Sequence, residues 1–245
     1  MSVVNSFFYG HTVSLMEQLT IQSFIQNNHQ FRLFTYDPDH FPLKDSKLDI
    51  VNANEILDHA NFFVYTGNGD CPAGSVGGFS DIFRFEILKK HGSWYVDMDV
   101  TCLKNLDSLK DDIILRPNKN HGTVANIIKC NDANFCNSVL EKYKTINSSN
   151  DDWVKPLALL HETIKEYSYD KYIVEKSLFG NDYFYDLIEF LDKNYNELSN
   201  VPTHAIHWCN TACTTAKWDK RLRIDWNKPR PASLYYCLLR KYGLI

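Results

Sequence analysis

The residues with chemistry to offer are concentrated in one stretch, Gly78 to Asp99, which reads GFSDIFRFEILKKHGSWYVDMD. It closes on Asp97 and Asp99, separated only by Met98. Residues i and i+2 of a regular strand face the same side, so this spacing predicts two carboxylates converging on one point. Such a pair repels unless a cation sits beside it. Oxygen ligands suit Mg2+ or Mn2+, which take few protein carboxylates and complete their shells with water and substrate phosphates. A metal-bridged diphosphate is the natural ligand. Upstream, Asp81 and Arg84 are three residues apart and therefore neighbours on a helix, near the end where backbone N–H groups favour anions. The plain alternative for that pair is an intrahelical ion pair worth about 0.3–0.5 kcal/mol.

The elements that must position these groups follow from periodicity. Phe79, Ile82, Phe83, Ile87 and Leu88 mark one face of a helix over residues 79–91, with Lys89, Lys90 and His91 at its C-terminal end and Gly92 as its stop. Trp94-Tyr95-Val96 then begins a strand running into Asp97. Earlier, Val3 to Tyr9 reads as a buried opening strand, Leu15 to Ile25 as a helix, and Phe31 to Tyr36 as a second strand. That βαβ order implies an α/β fold with a parallel sheet whose ligand sites lie beyond the carboxyl ends of its strands. Residues 66–78 hold five glycines and read as a loop at that mouth, a lid or a connector without the Lys-Ser/Thr ending of a phosphate-binding loop. Further strands are expected at 113–115 and 123–129, and helices at 134–146 and 151–167. No repeat or Pro/Ser-rich linker interrupts the 245 residues, so a single domain with a basic, aromatic C-terminal segment, 217–245, is expected.

Composition bounds the rest. With 44% hydrophobic and 23% charged residues the chain is an ordinary globular protein, not a collagen, coiled coil or disordered polymer. Its net charge of −4 argues against a nucleic-acid binder, which would be basic. The average conceals an asymmetry: residues 217–245 hold eight Lys or Arg against two Asp, net +6, leaving −10 for the remainder. That segment is expected either as a solvated basic face or, with Trp226, Tyr235, Tyr236, Leu238 and Leu239 interleaved, as a surface resting on an anionic membrane. Neither a spanning run nor an export leader is indicated, and the seven cysteines lack CxxC pairs, so a reduced, cytoplasmic protein is expected.

The Gly78–Asp99 block resembles the signature of the DXD glycosyltransferases, in particular family 32: a Ser/Ala-Asp-x-x-Arg helix, then Gly-Gly-x-Tyr-x-Asp-x-Asp. Here Ser93 replaces the second glycine, and Phe8 stands where relatives place a tryptophan two residues before a glycine, here Gly10. The resemblance covers residues 1–110 well. It implies a GT-A fold, Rossmann-like with a mostly parallel central sheet flanked by helices. It also implies a retaining transfer of a hexose from a nucleotide-sugar donor, UDP-linked by preference or GDP-mannose, to a glycan, lipid-linked or other hydroxyl acceptor, with Mn2+ or Mg2+. Carried over, Ser80, Asp81, Arg84 and Asp97 hold the ribose or donor sugar, Asp99 ligates the metal with Asp97, and Phe8, beside Tyr9, stacks on the base. In relatives a C-terminal loop closes over the diphosphate. The candidate here is residues 204–210, with His207 as a further metal ligand and Trp208, Asn210 or the later Trp218 reaching the phosphates.

Three rivals start from the same residues. Asp97 and Asp99 after an apolar strand also resemble the nucleophile motif of haloacid-dehalogenase-type phosphatases, with Lys176, Asp182 and Asp186 as later motifs. A binding module without turnover uses the same donor residues. His204, His207, Cys209 and Cys213 are of zinc-ligand type, at a spacing that fits no common zinc motif.

Overall fold

The computed structural model describes residues 1–118, 122–179, 187, 190, 191, 203–215 and 224–245. Strand β1 (Val3–Phe7) opens the chain and leads to helix α1 (Leu15–Gln26), whose start is set by a capping box between Ser14 and Glu17. Strands β2 (Gln30–Thr35) and β3 (Leu48–Asn52) follow. After helix α2 (Gly77–His91) come β4 (Trp94–Val96), β5 (Val100–Cys102), β6 (Ile113–Asn118) and β7 (Gly122–Cys130). Helices α3 (Ala133–Tyr143) and α4 (Lys155–Glu166), strand β8 (Ala205–His207), and helices α5 (Asn210–Thr215) and α6 (Leu234–Lys241) complete the described elements.

The central sheet runs β3-β2-β1-β4-β7-β6. Its β3–β2, β2–β1 and β1–β4 pairings are parallel, while β7 lies antiparallel to both neighbours, so the sheet is mostly parallel with an antiparallel flank. Strand order reverses at β1, which has β2 on one side and β4 on the other. Ligands of open α/β sheets bind at such a switch point, beyond the carboxyl ends of the strands. The register Asn5↔Tyr95 brings the ends of β1 and β4, and hence Phe8 and Asp97, to that same crevice.

Apolar layers cover both faces. Phe7, Phe34, Phe79, Phe83 and Phe85 pack under α2 and α3, and Val4, Phe24, Phe31, Trp94 and Val96 under α1. A third cluster joins Met16 and Leu19 of α1 to Trp208, Trp226, Leu234, Tyr235, Leu238 and Leu239. The described part of the C-terminal segment therefore turns Trp226, Tyr235, Leu238 and Leu239 inward, each no more than 5% exposed, while Tyr236 is half-buried. Of the two expectations for this segment, the membrane-resting surface loses the apolar contribution of these four side chains, while Lys228, Arg230, Arg240 and Lys241 lie on the surface. Among the described residues no helix is long and apolar enough to cross a membrane, and none of the seven cysteines is in a disulfide.

One local feature differs from the expectations. Helix α2 begins at Gly77, two residues early, and Tyr65 and Trp153 pack so closely on its first turn that only residues without a Cβ fit there. A Cβ at Gly78 would lie 2.3 Å from the Tyr65 hydroxyl, and one at Gly77 2.8 Å from the Trp153 ring. The glycine-rich loop, expected as a lid or a connector, is tied to a neighbouring segment: Thr66 N–H donates to the Ser148 carbonyl at 2.9 Å and Asp70 N–H to the Asp151 carbonyl at 2.8 Å.

Ser93, in the place where relatives carry glycine, holds a left-handed φ of 68°. Its backbone N–H donates to Asn131 Oδ1 and its hydroxyl to the Val3 carbonyl, both at 2.7 Å, tying the turn into β4 to the start of β1. Ser93→Gly relieves strain and loses one hydrogen bond, each about 1 kcal/mol, so its stability should stay within about 1 kcal/mol of wild type. Ser93→Ala keeps the strain and loses the bond, and should fall about 1–2 kcal/mol below the glycine variant in denaturant unfolding.

Candidate active site

Strand β4 stops at Val96, so the two acids do not converge by strand alternation. Asp97, Met98 and Asp99 form a tight turn into β5, closed by the Val100 N–H donating to the Asp97 carbonyl at 3.2 Å. The Asp97 N–H is held by the Asn126 carbonyl at 2.9 Å, and Thr20 of α1 donates its hydroxyl to the Met98 carbonyl at 2.8 Å. The turn is thus clamped from the sheet and from α1.

Arg84 fixes the first carboxylate. Its Nη1 donates to Asp81 at 2.7 Å and its Nη2 to Asp97 at 2.8 Å, while the guanidinium carbon lies 5.1 Å from the centre of the Tyr95 ring. The i,i+3 pair of the sequence is therefore also a bridge from helix to strand end. Arg84 is 4% exposed, beyond what a surface ion pair allows. Burial pushes the Asp81 carboxyl up to about 6 against the pull of Arg84, and burial likewise raises Asp97 despite Arg84. The two anions raise Arg84 further in spite of its own burial.

The second carboxylate is fixed by a strand far along the chain. Strand β8 pairs antiparallel with β5 in register Val100↔His207, which sets His207 beside Asp99. His207 Nε2 lies 3.2 Å from Asp99 Oδ2, which also accepts the Asn210 N–H at 2.8 Å. Burial works against charge on both groups, but each outweighs it for the other: Asp99 is held below the usual carboxylate range and His207 is raised to about 10. Asp99 Oδ1 is buried and has no hydrogen-bond partner among the described residues. One ligand atom each from Asp97, Asp99 and His207 lie within 4.8 Å of one another. Two carboxylate oxygens, an imidazole and an orphaned anionic atom between them suit a small divalent cation, with positions left for water or phosphate.

These groups lie on the wall of a cavity of about 600 Å³ that also takes in Phe8, Tyr9, Ser80, Asp81, Arg84 and Asn210. Tyr9 is 45% exposed and stacked on Phe62 at 4.1 Å. Phe8 is 8% exposed and packed edge-on to Phe41 at 5.8 Å, so the adjoining Tyr9 offers the larger aromatic surface. The expectation for Trp208 is corrected. It is fully buried, its indole N–H goes to Thr101 Oγ1 at 2.7 Å, and its ring sits among Trp226 and Tyr235, so it props up the ribbon from behind. Trp218 lies outside the described residues, as do Asp182 and Asp186. The possible zinc quartet does not assemble among the described residues: Cys213 Sγ points to the Trp208 carbonyl and Cys209 Sγ to His207 Nδ1. Sequence reasoning did not single out Arg116, Asn126 and Trp153, which also line the cavity. The aromatic-then-helix pattern around Trp153-Val154-Lys155-Pro156 was the available signal for the last.

Residues 14–115 match the family described as the glycosyltransferase sugar-binding region containing the DXD motif. Among solved structures, the apo-form glycosyltransferase GlyE of Streptococcus pneumoniae TIGR4 is similar with a TM-score of 0.52 and 13% identity, over 99% of this chain and 64% of that one. The PaToxG glycosyltransferase is similar at 0.48 and 12%, over 68% and 69% of the two chains. The galactosyltransferase LgtC, solved with donor and acceptor sugar analogues, is similar at 0.45 and 12%, over 91% and 94%. The likeness to GlyE is one of fold, and the chain spans less than two thirds of that protein's length. No curated protein matches the chain.

Removing the central cation tests the electrostatics directly. Arg84→Met leaves Asp81 and Asp97 without their partner and should cost about 2–4 kcal/mol at pH 7, below the value for a sealed pair because cavity water reaches both carboxylates. Their folded-state pKa values, already raised, rise further in the variant. The stability tied to their protonation is present at low pH and lost as pH rises through those values. The deficit should therefore shrink between pH 7 and pH 5 in thermal unfolding.

Proposed function

We propose that this chain, a glycosyltransferase that carries the DXD sugar-binding region, transfers a hexose from a nucleotide-sugar donor, UDP-linked by preference, to a hydroxyl acceptor in a metal-dependent and retaining reaction, with residues 1–245 acting as one catalytic domain. The observation that carries this reading is the convergence of Asp97, Asp99 and His207 at the carboxyl end of β4, on the wall of a cavity at the sheet's switch point. Asp99 and His207, with Asp97, hold Mn2+ or Mg2+. The cation supplies Lewis-acid assistance to the leaving diphosphate. The residues around it bind and orient. Arg84, clamped by Asp81 and Asp97, presents a rigid guanidinium and two oriented carboxylates to ribose or sugar hydroxyls, and Ser80 adds a hydroxyl one turn earlier. Tyr9 and Phe8 receive the base. Asn210 fixes Asp99 through its N–H, and its side-chain oxygen accepts from Trp226 Nε1 at 2.8 Å, so it anchors the closing loop. Retention rests on the family resemblance, and NMR assignment of the product's anomeric configuration tests it.

The phosphatase alternative requires Asp97 to attack as a nucleophile, yet one oxygen of that carboxylate is engaged by Arg84, and the family match accounts for the Asp81-Arg84 helix that a phosphatase leaves idle. Peripheral membrane contact through 217–245 would draw mainly on charge, since Trp226, Leu234, Tyr235, Leu238 and Leu239 among its described residues are inside.

Asp99→Asn should reduce metal-dependent hydrolysis of the donor by at least about 10²-fold, as expected when a principal charge stabiliser is neutralised. The assay runs across a panel of UDP- and GDP-sugars with Mn2+ and Mg2+. A loss below twofold would mean that Asp99 is not the principal ligand of the cation.

A further inference from the structure

Resting on that donor reading, we propose that Cys209 is a positioning residue for the cation: its thiol receives the hydrogen on His207 Nδ1 and thereby holds the imidazole with Nε2 turned to Asp99 and the ion. The two ring nitrogens have different neighbours. Nε2 lies 3.2 Å from Asp99 Oδ2, whereas Nδ1 lies 3.4 Å from Cys209 Sγ. A metal-binding imidazole offers the lone pair of one nitrogen and carries its hydrogen on the other, and the partner of that second nitrogen sets tautomer and ring orientation. Sulfur is a weak acceptor, yet it is placed to serve as one. The thiol's own hydrogen has the His207 carbonyl at 4.0 Å, which leaves the sulfur lone pairs to Nδ1–H.

The backbone accounts for the position of the sulfur. Trp208 N–H donates to the Asp99 carbonyl at 2.9 Å and Asn210 N–H to Asp99 Oδ2 at 2.8 Å, so the chain on both sides of Cys209 is fastened to one residue. Between these two anchors Cys209 takes a left-handed φ of 49°. That conformation disfavours a residue with a Cβ, and glycine or asparagine would hold it with less strain. A cysteine there is explained by its side chain, which lies against the imidazole two residues earlier and lines the cavity.

Ring orientation matters because the cluster is small. Asp97, Asp99 and His207 each bring one ligand atom within 4.8 Å of the others, and Asp99 Oδ1 is buried without a hydrogen-bond partner among the described residues. Flipping the imidazole about its Cβ–Cγ bond would put a carbon where Nε2 now stands and take the nitrogen out of the group. The contact between Nδ1 and Sγ opposes that flip. Cys209 is not among the grouped ligand residues, so the thiol acts through His207 and is not itself a ligand. Its contribution belongs to the outer partners that orient metal-binding side chains.

The test follows Mn2+ uptake by the full chain through the EPR signal of the free ion, alongside thermal unfolding, in variants at this one position. Cys209→Gly keeps both flanking N–H groups, relieves the left-handed backbone and removes the sulfur. It should unfold close to wild type yet bind Mn2+ about tenfold more weakly. Cys209→Ala should lose as much affinity. Cys209→Asn adopts this φ readily and supplies a side-chain oxygen for Nδ1–H, so it should stay within about threefold of wild type. A residue that only shaped the loop would give a different order, with the Gly and Asn variants like wild type and Ala alone impaired. Unchanged Mn2+ affinity in Cys209→Gly, or a Cys209→Asn variant as weak as the glycine one, would overturn the assignment. The donor reading fails separately: Mn2+ uptake that depends on Cys209 in a chain that hydrolyses no UDP- or GDP-sugar would sink that reading and leave the thiol's role standing. Wild type that takes up no Mn2+, with or without UDP or GDP, would sink both.

Discussion

The geometry of this protein depends on one buried guanidinium. Arg84 joins a helix carboxylate to the carboxylate at the end of a central strand, and it does so almost out of contact with bulk water. A cation in that place can be tolerated only because two anions face it, and the anions can be tolerated only because it is there. The three are mutually obligatory, so helix α2 cannot slide or rotate against β4 without exposing an uncompensated charge. The aromatic layer beneath, Phe79, Phe83 and Phe7, packs in the register that this clamp requires.

Much of this was legible in the residues themselves. The βαβ opening, the helix leading to Gly92 and the strand at 94–96 followed from hydrophobic period and from turn chemistry, because those elements are long or bounded by strong punctuation. The Asp81-x-x-Arg84 and Asp97-x-Asp99 spacings indicated an electrostatic site. Strand alternation is not what gathers the second pair: a three-residue strand ends too soon for it, and a clamped turn brings the carboxylates together instead. Spacing alone does not distinguish a strand end from a turn, since both can bring residues i and i+2 to one side.

What was not legible is tertiary. His207 meets Asp99 because two three-residue strands pair in a particular register, which local patterns do not show; only the family resemblance pointed to this histidine. Trp208 reads like a ligand-binding aromatic beside a histidine, but the same pairing turns its indole toward Thr101 and the core. The slipped β6–β7 register that turns Arg116 and Asn126 to the cavity likewise depends on interstrand geometry. The packing of helix α6 was hidden for a related reason, since a basic, aromatic stretch does not show that its apolar side will find Met16 and Leu19.

The β5–β8 ribbon carries a consequence for how the molecule comes into being. Asn210 and Asp99, whose hydrogen bond helps fix the second carboxylate, are 111 residues apart in the chain, and closing so long a loop is entropically slow. A fragment ending at residue 115 would possess both acids yet lack the imidazole and the N–H that orient them. During synthesis on the ribosome the parallel sheet can form well before this ribbon does. The grouping of Asp97, Asp99 and His207 is accordingly assembled late, when β8 docks on β5.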